Sequence, residues 1–287
     1  MNKLLATLLF LLLGTPVHAA ETELRAEIAS ARARVPQAFA QLDALRSRVV
    51  QSPPPFERRG MIGRAMKALG ADGLFPLLAL LGDGAALKSA PGHARQVLLV
   101  GALEAIGAIG DRRAAPLLRQ LVDGPEDDLA IVRAAAEALG TLAGDEEVAF
   151  LNARATTGNP RELLAIAGLA YCRRPAAAAH LAARLDSHPD AQTAAALADA
   201  AGFLGSSWAW VAYGPSRAAE GDAIRAQLAD TLLRTFTNYP APTRDAAARA
   251  LLMVDHATTP NRLASLPTDP ALAADIQQLQ RRWLRLR

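Results

Sequence analysis

The 287-residue chain has one cysteine, three lysines and few aromatic residues, and each scarcity removes a class of protein. With Cys172 alone no internal disulfide can form, so the fold must be held by its hydrophobic core. Lysine occurs only at Lys3, Lys67 and Lys88, and although arginine is abundant the formal charge is only +3. No strong basic field is left to hold nucleic acid, and none is expected as a partner. Aromatic residues make up 5% of the chain, and the apolar share of 51% falls mainly to Ala and Leu, which lose little side-chain freedom in a helix.

The local signatures of catalysis are missing too. There is no G-x-S-x-G elbow, no P-loop and no G-x-G-x-x-G turn, so acyl, phosphoryl and dinucleotide chemistry have no recognisable motif. His93, His180, His188 and His256 stand apart from one another, with no H-E-x-x-H or paired spacing that would set two ligands on one helical face. No catalytic residue, cofactor or metal site is expected.

What is present begins with a secretory signal. Lys3 precedes an uncharged apolar run from Leu4 to Leu13, the breakers Gly14 and Pro16, and Val17-His18-Ala19, which suits cleavage after Ala19. The apolar run is about half of the roughly twenty residues that a membrane span needs. The expected destination is the periplasm or the medium, with the charge reduced from +3 to +2 by loss of Lys3. Cys172 lies too deep in the chain to be a lipid-bearing cysteine beside the signal. It reads as a small buried hydrophobe, the alternatives being a reactive thiol or an intermolecular disulfide.

Apolar residues at Leu24, Ile28, Val35, Phe39, Leu42 and Leu45 keep helical spacing, interrupted at Pro36, so one or two amphipathic helices are expected there. Ser52-Pro53-Pro54-Pro55 stops any helix. From Phe56 the chain repeats itself: Lys67-Ala-Leu-Gly70 before Pro76-Leu77-Leu78, Gly107-Ala-Ile-Gly110 before Pro116-Leu117-Leu118, and Leu142-Ala-Gly144 before Phe150-Leu151. The glycines Gly70, Gly110 and Gly144 are 40 and 34 residues apart, a period that fits one helix pair per repeat. Each is expected to close a helix in the left-handed conformation. Weaker repeats follow at Pro160 to Leu185, Asp190 to Leu204 and Thr243 to Val254. Asp269-Pro270 opens a last helix whose apolar residues Leu272, Ile276, Leu279, Trp283 and Leu286 step by four and three.

The clearest unit runs from Asp127 and Asp128, which cap a helix start, through Leu-Ala-Ile-Val-Arg-Ala-Ala-Ala-Glu-Ala-Leu-Gly140 to Gly144-Asp145. Asp128, Val132, Arg133, Ala134 to Ala136, Ala138, Leu139, Gly140, Gly144 and Asp145 match the pattern of HEAT repeats of the phycobilisome-lyase type, which the chain resembles from about Phe56 to Leu263 and most strongly in its middle third. A second match is Ala105-Ile106-Gly107 with Gly110, Asp111, Ala114, Ala115 and Pro116. The resemblance lies in scaffold positions and carries no catalytic residue; it implies protein binding.

The expected fold is therefore all-α, a right-handed α-solenoid (superhelix) of five to six helix pairs with helical caps. Its expected division is a signal at 1–19, an N-terminal amphipathic cap at 20–51, a Pro-rich link at 52–55, the repeats at 56–265 and a C-terminal amphipathic capping helix at 266–287. Phe203, Trp208, Trp210 and Tyr213 concentrate scarce aromatics next to the break from Gly214 to Gly221, either as contacts for a partner or as a plug between repeats. Arg281, Arg282, Arg285 and Arg287 give the last helix a basic face that suits a cap or an anionic membrane surface. The expected function is a non-enzymatic scaffold or adaptor of the bacterial cell envelope that binds a protein on the solenoid surface. The alternatives are an envelope enzyme with a site near 206–221 and a peripheral membrane protein.

Overall fold

The structure is a computed structural model and describes residues 15–52, 59–91, 93–266 and 270–285. Among them all regular structure is helical and there is no strand. Most of the expected signal, the three prolines of the link, Asp269, Leu286 and Arg287 lie outside the described residues. No single helix among the described residues is long and apolar enough to cross a membrane.

The helices are α1 (Thr15–Arg34), α2 (Pro36–Gln51), α3 (Arg59–Lys67), α4 (Leu74–Gly82), α5 (Ala94–Ile109), α6 (Ala115–Asp123), α7 (Leu129–Leu142) and α8 (Asp145–Arg154). They continue as α9 (Glu162–Leu169), α10 (Pro175–Asp186), α11 (Ala191–Leu204), α12 (Ser207–Val211), α13 (Ala218–Asn238), α14 (Thr243–Val254), α15 (Thr259–Ala264) and α16 (Pro270–Arg285). In chain order the helices from α3 to α15 run as six successive pairs, with α12 as an extra turn inside the fifth. The contacts divide the chain into two units, one ending at Ala134 and one beginning at Ala135, so the border falls inside α7.

In the first unit α2 begins at Pro36, whose missing N–H is no loss at a first helical position. It buries Ala38, Phe39, Leu42, Leu45 and Val49, a stripe with helical spacing, and packs with α1 on α4 and by itself on α5. Helix α5 packs against both α3 and α4. Arg95 holds the loops around this pair: its Nε donates to the Gly84 carbonyl at 3.2 Å and Nη1 to Glu126 at 3.2 Å, with both side chains mostly buried. Burial alone would raise the Glu126 carboxyl, but Arg95 and the Asp128 amide outweigh it and hold the group below its ordinary value.

In the second unit α9, α11 and α14 pack side by side, as do α8, α10 and α13, and the contacts α8 to α9, α10 to α11 and α13 to α14 join the two rows. This is the two-layer arrangement of stacked helix pairs, each of which can bury its apolar stripe only against a neighbour.

Turn chemistry explains much of the repeat pattern. Gly70 and Gly110 take the left-handed conformation, at φ 59° and 74°, as their spacing predicts. Gly144 does not: it precedes α8 in extended conformation, and the left-handed step falls on Ala143, at φ 47°. A glycine that must serve as N-cap of the next helix cannot also close the previous one. The acidic caps form as the sequence requires, Asp128 accepting the Ala130 amide and Asp190 those of Gln192 and Thr193, each at 3.0 Å. Arginine finishes helix ends. Arg225 donates to the carbonyls of Val254 and Asp255, and Arg244 to that of Phe236, which satisfies acceptors that a helix terminus leaves open.

Small residues sit where helices cross. In the first unit Gly101 of α5 faces Gly63 of α3, and in the second Gly202 of α11 faces Ala250 of α14. Gly168 of α9 faces Ala136 of α7, whose carbonyl oxygen a Cβ on Gly168 would approach to 2.7 Å. These positions lie inside helices, where glycine costs about 1 kcal/mol of propensity; the return is backbone approach that no larger residue permits.

Candidate functional site

The longest irregular detour among the repeats falls between α11 and α13. Gly205 ends α11, α12 makes little more than one turn, and Gly214 at φ 69° and ψ −173° occupies backbone space open to glycine alone. Pro215 then starts a short 3-10 turn into α13. Trp210 fills the joint this makes. Its ring lies on Gly221, where a Cβ would come within 2.6 Å of it, and its Nε1 donates to the Leu204 carbonyl at 2.9 Å. Only 7% of Trp210 is exposed.

The Arg217 guanidinium covers this plug from outside, 5.1 Å from the Trp210 ring and 4.7 Å from that of Tyr213. It is held there by Glu220, at 2.8 Å, and by the Arg173 carbonyl. Tyr213 lies against Trp210 with ring centroids 5.6 Å apart and keeps an exposed edge. Trp208 and Val211 project from the outer side of α12, 86% and 76% exposed. Phe203, on the last turn of α11, is half exposed and stacks on Tyr171 at 6.4 Å.

Of the four aromatics singled out in the sequence, Phe203, Trp208 and Tyr213 are thus at the surface. Trp210 is buried and supports them from beneath, so it cannot itself offer contact area to a partner. The four residues that complete the region are Tyr171, Val211, Arg173 and Arg217. Tyr171 had a legible signal: it precedes Phe203 by 32 residues, about one repeat, so neighbouring helix ends bring the two together. The arginines had none, since nothing in a chain rich in arginine marks these two.

Arg173 is buried next to this surface and donates to the Ala170 carbonyl at the end of α9. Burial pushes its guanidinium below the ordinary value, and Tyr213, Cys172 and Tyr171 lie within electrostatic reach of it. Cys172 is fully buried, its Sγ 3.8 Å from the Gly168 carbonyl, and burial pushes the thiol up to about 12. A thiol so held is neutral and unreactive at neutral pH. Native protein is therefore expected to leave Ellman's reagent uncoloured over an hour, with one equivalent reacting in denaturant; rapid reaction of the native state would restore the reactive-thiol alternative.

The histidines stay apart. His93 precedes α5, His180 reaches the Ala155 carbonyl at 3.2 Å, His188 stacks on Tyr239 at 5.6 Å, and His256 lies 2.9 Å from the Thr258 hydroxyl. Among the described residues no three His, Cys, Asp or Glu side chains converge as metal ligands would. Two open cavities lie in the first unit. One, of about 290 Å³, is lined by Leu42, Leu45, Arg48, Ala65 and Leu69, and another by Arg46, Val50, Leu87 and Pro91. The last helix buries Leu272, Leu279 and Trp283 and exposes Arg281, Arg282 and Arg285.

Residues 85–170 match the family model for HEAT repeats, a repeat type that generally mediates protein interactions. Among solved structures, human deoxyhypusine hydroxylase in complex with glycerol is similar over 86% of this chain and 97% of that one, at 13% identity and a TM-score of 0.33. No curated protein matches. The helix pairs, the turns at Gly70 and Gly110, the capped start of α7 and the match over 85–170 describe an all-α chain that carries HEAT-like repeats at residues 85–170.

Proposed function

We propose that the chain is an exported, non-catalytic binding protein that holds a protein partner of the bacterial cell envelope on the aromatic surface of its second unit. The observation that carries this reading is the contrast inside α12. Trp210 is locked in place, and it holds Trp208 and Val211 outward on a backbone that cannot collapse over them. Covering an exposed tryptophan removes on the order of 150–250 Å² from water, and rigid aromatics with nearby arginine are typical of binding hot spots. Export rests on the sequence from Lys3 to Ala19.

Trp210 plugs the joint at 206–221 against Gly221 and the Leu204 carbonyl, which favours binding over catalysis in that stretch. Attachment to a membrane through α16 is disfavoured as well. The apolar side of that helix is spent on Leu272, Leu279 and Trp283 inside the protein, leaving Leu284 as its one exposed large apolar residue among those described. The test is a crosslinking pull-down from the cell envelope with the wild-type chain and a Phe203→Ala, Trp208→Ala, Tyr213→Ala variant of unchanged helical circular dichroism. A discrete protein recovered by the first and lost by the second is expected. Equal recovery, or none with either, would sink the reading.

A further inference from the structure

Resting on that reading, we infer that the joint holds a cation site which the chain's own Arg217 occupies, and that an arginine side chain of the partner takes its place when Arg217 swings out. Four groups converge on the Arg217 guanidinium. The rings of Trp210 and Tyr213 lie 5.1 Å and 4.7 Å from its carbon, Glu220 accepts from Nε at 2.8 Å, and the Arg173 carbonyl accepts from Nη2. Two aromatic faces, a carboxylate and a carbonyl replace the water that a guanidinium loses on docking. Arg217 does not build these walls. Trp210 is fixed by Gly221 and the Leu204 carbonyl, Tyr213 leans on Trp210, Glu220 sits in the first turn of α13 and the Arg173 carbonyl follows α9, so another guanidinium finds the same partners.

The occupant is replaceable. Arg217 ends the short turn from Pro215, outside any α-helix, and its side chain and that of Glu220 are 28% and 32% exposed. A surface ion pair and a partly wet cation–π contact each hold weakly. Glu220 is the single carboxylate on the guanidinium among the described residues, so a second cation enters only as Arg217 leaves. The stacked pair of Phe203 and Tyr171 borders the site, Tyr171 lying two residues before Arg173, and gives the residues flanking the partner's arginine an apolar seat. A partner held there presents that arginine at high effective concentration, which is what displacing a rival from the same chain takes.

The test adds acetyl-arginine-amide, or its neutral isostere acetyl-citrulline-amide, to the isotope-labelled full chain and follows the indole N–H signal of Trp210, identified by its loss in Trp210→Phe. In Arg217→Ala the arginine compound is expected to saturate at a concentration at least about tenfold lower than the citrulline one, and the wild type to need at least about tenfold more of it than the variant. Glu220→Gln added to Arg217→Ala is expected to remove the preference. If Arg217→Ala lost its helical circular dichroism, Arg217→Gln, which keeps part of the stem, would carry the same comparison. Equal response to the two compounds in the variant, or response to neither, would overturn the cation site, and equal response of variant and wild type would overturn its occupation by Arg217. In those cases a partner lost from the Phe203, Trp208, Tyr213 variant would still uphold the binding surface, so the two failures are told apart.

Discussion

Gly140→Ala is expected to lower the melting temperature by about 10 °C, the largest effect of any single methyl group in this chain. Gly140 lies within α7, and a Cβ there would run into the carbonyl oxygen of Gly168 on α9, with the Tyr171 side chain also close. The obstacle is backbone on the far side, so no rotamer change relieves it; the two helices must separate, at roughly 3 kcal/mol for overpacking of this kind. Gly60→Ala is the matched control. That glycine is also helical, but nothing lies within 4 Å of its added Cβ, so the change should be neutral or stabilising by up to about 1 kcal/mol. Thermal melts followed by circular dichroism decide it, and equal behaviour of the two variants would refute the close crossing.

Trp210→Ala is expected to cost about 4 kcal/mol, whereas Trp208→Ala should change stability by less than about 0.5 kcal/mol. The first empties the space above Gly221, leaves the Leu204 carbonyl without its indole donor and removes one of the two rings under Arg217. The second removes a side chain that is 86% exposed. Urea unfolding of both variants checks the pair. If Trp208→Ala proved the more damaging, α12 would present its other face and the proposed surface would be misplaced. The same contrast fixes the design of the binding experiment, in which Trp210 must stay intact for the loss of a partner to mean loss of contact.

Much of the framework was legible because it is set by short-range physics. The cap at Asp128 needs only an acidic side chain two residues before an open amide, and it forms where the sequence places it; Asp190 caps α11 in the same way. The helix starting at Pro270 likewise buries Leu272, Leu279 and Trp283, as steps of three and four residues require. The turn at Ala143 was not legible: the spacing of Gly144 matched that of Gly70 and Gly110, but its job as N-cap of α8 moved the left-handed step one residue earlier. Nor was the role of Gly140 legible: it serves a helix crossing, because its partner Gly168 belongs to the next repeat.

The sequence by itself determined the helical class, the repeat period near 34 to 40 residues and the concentration of aromatics at one joint, since composition, periodicity and capping act between residues close along the chain. Only the tertiary structure decided which of those aromatics a partner could touch. Trp208 and Trp210 are two positions apart on one helical turn and so point to nearly opposite sides, which tells that one must face in and one out but not which. The choice was made by Gly221, eleven residues beyond Trp210, whose bare backbone offers a flat floor for one indole, and by the free carbonyl of Leu204 that takes its N–H.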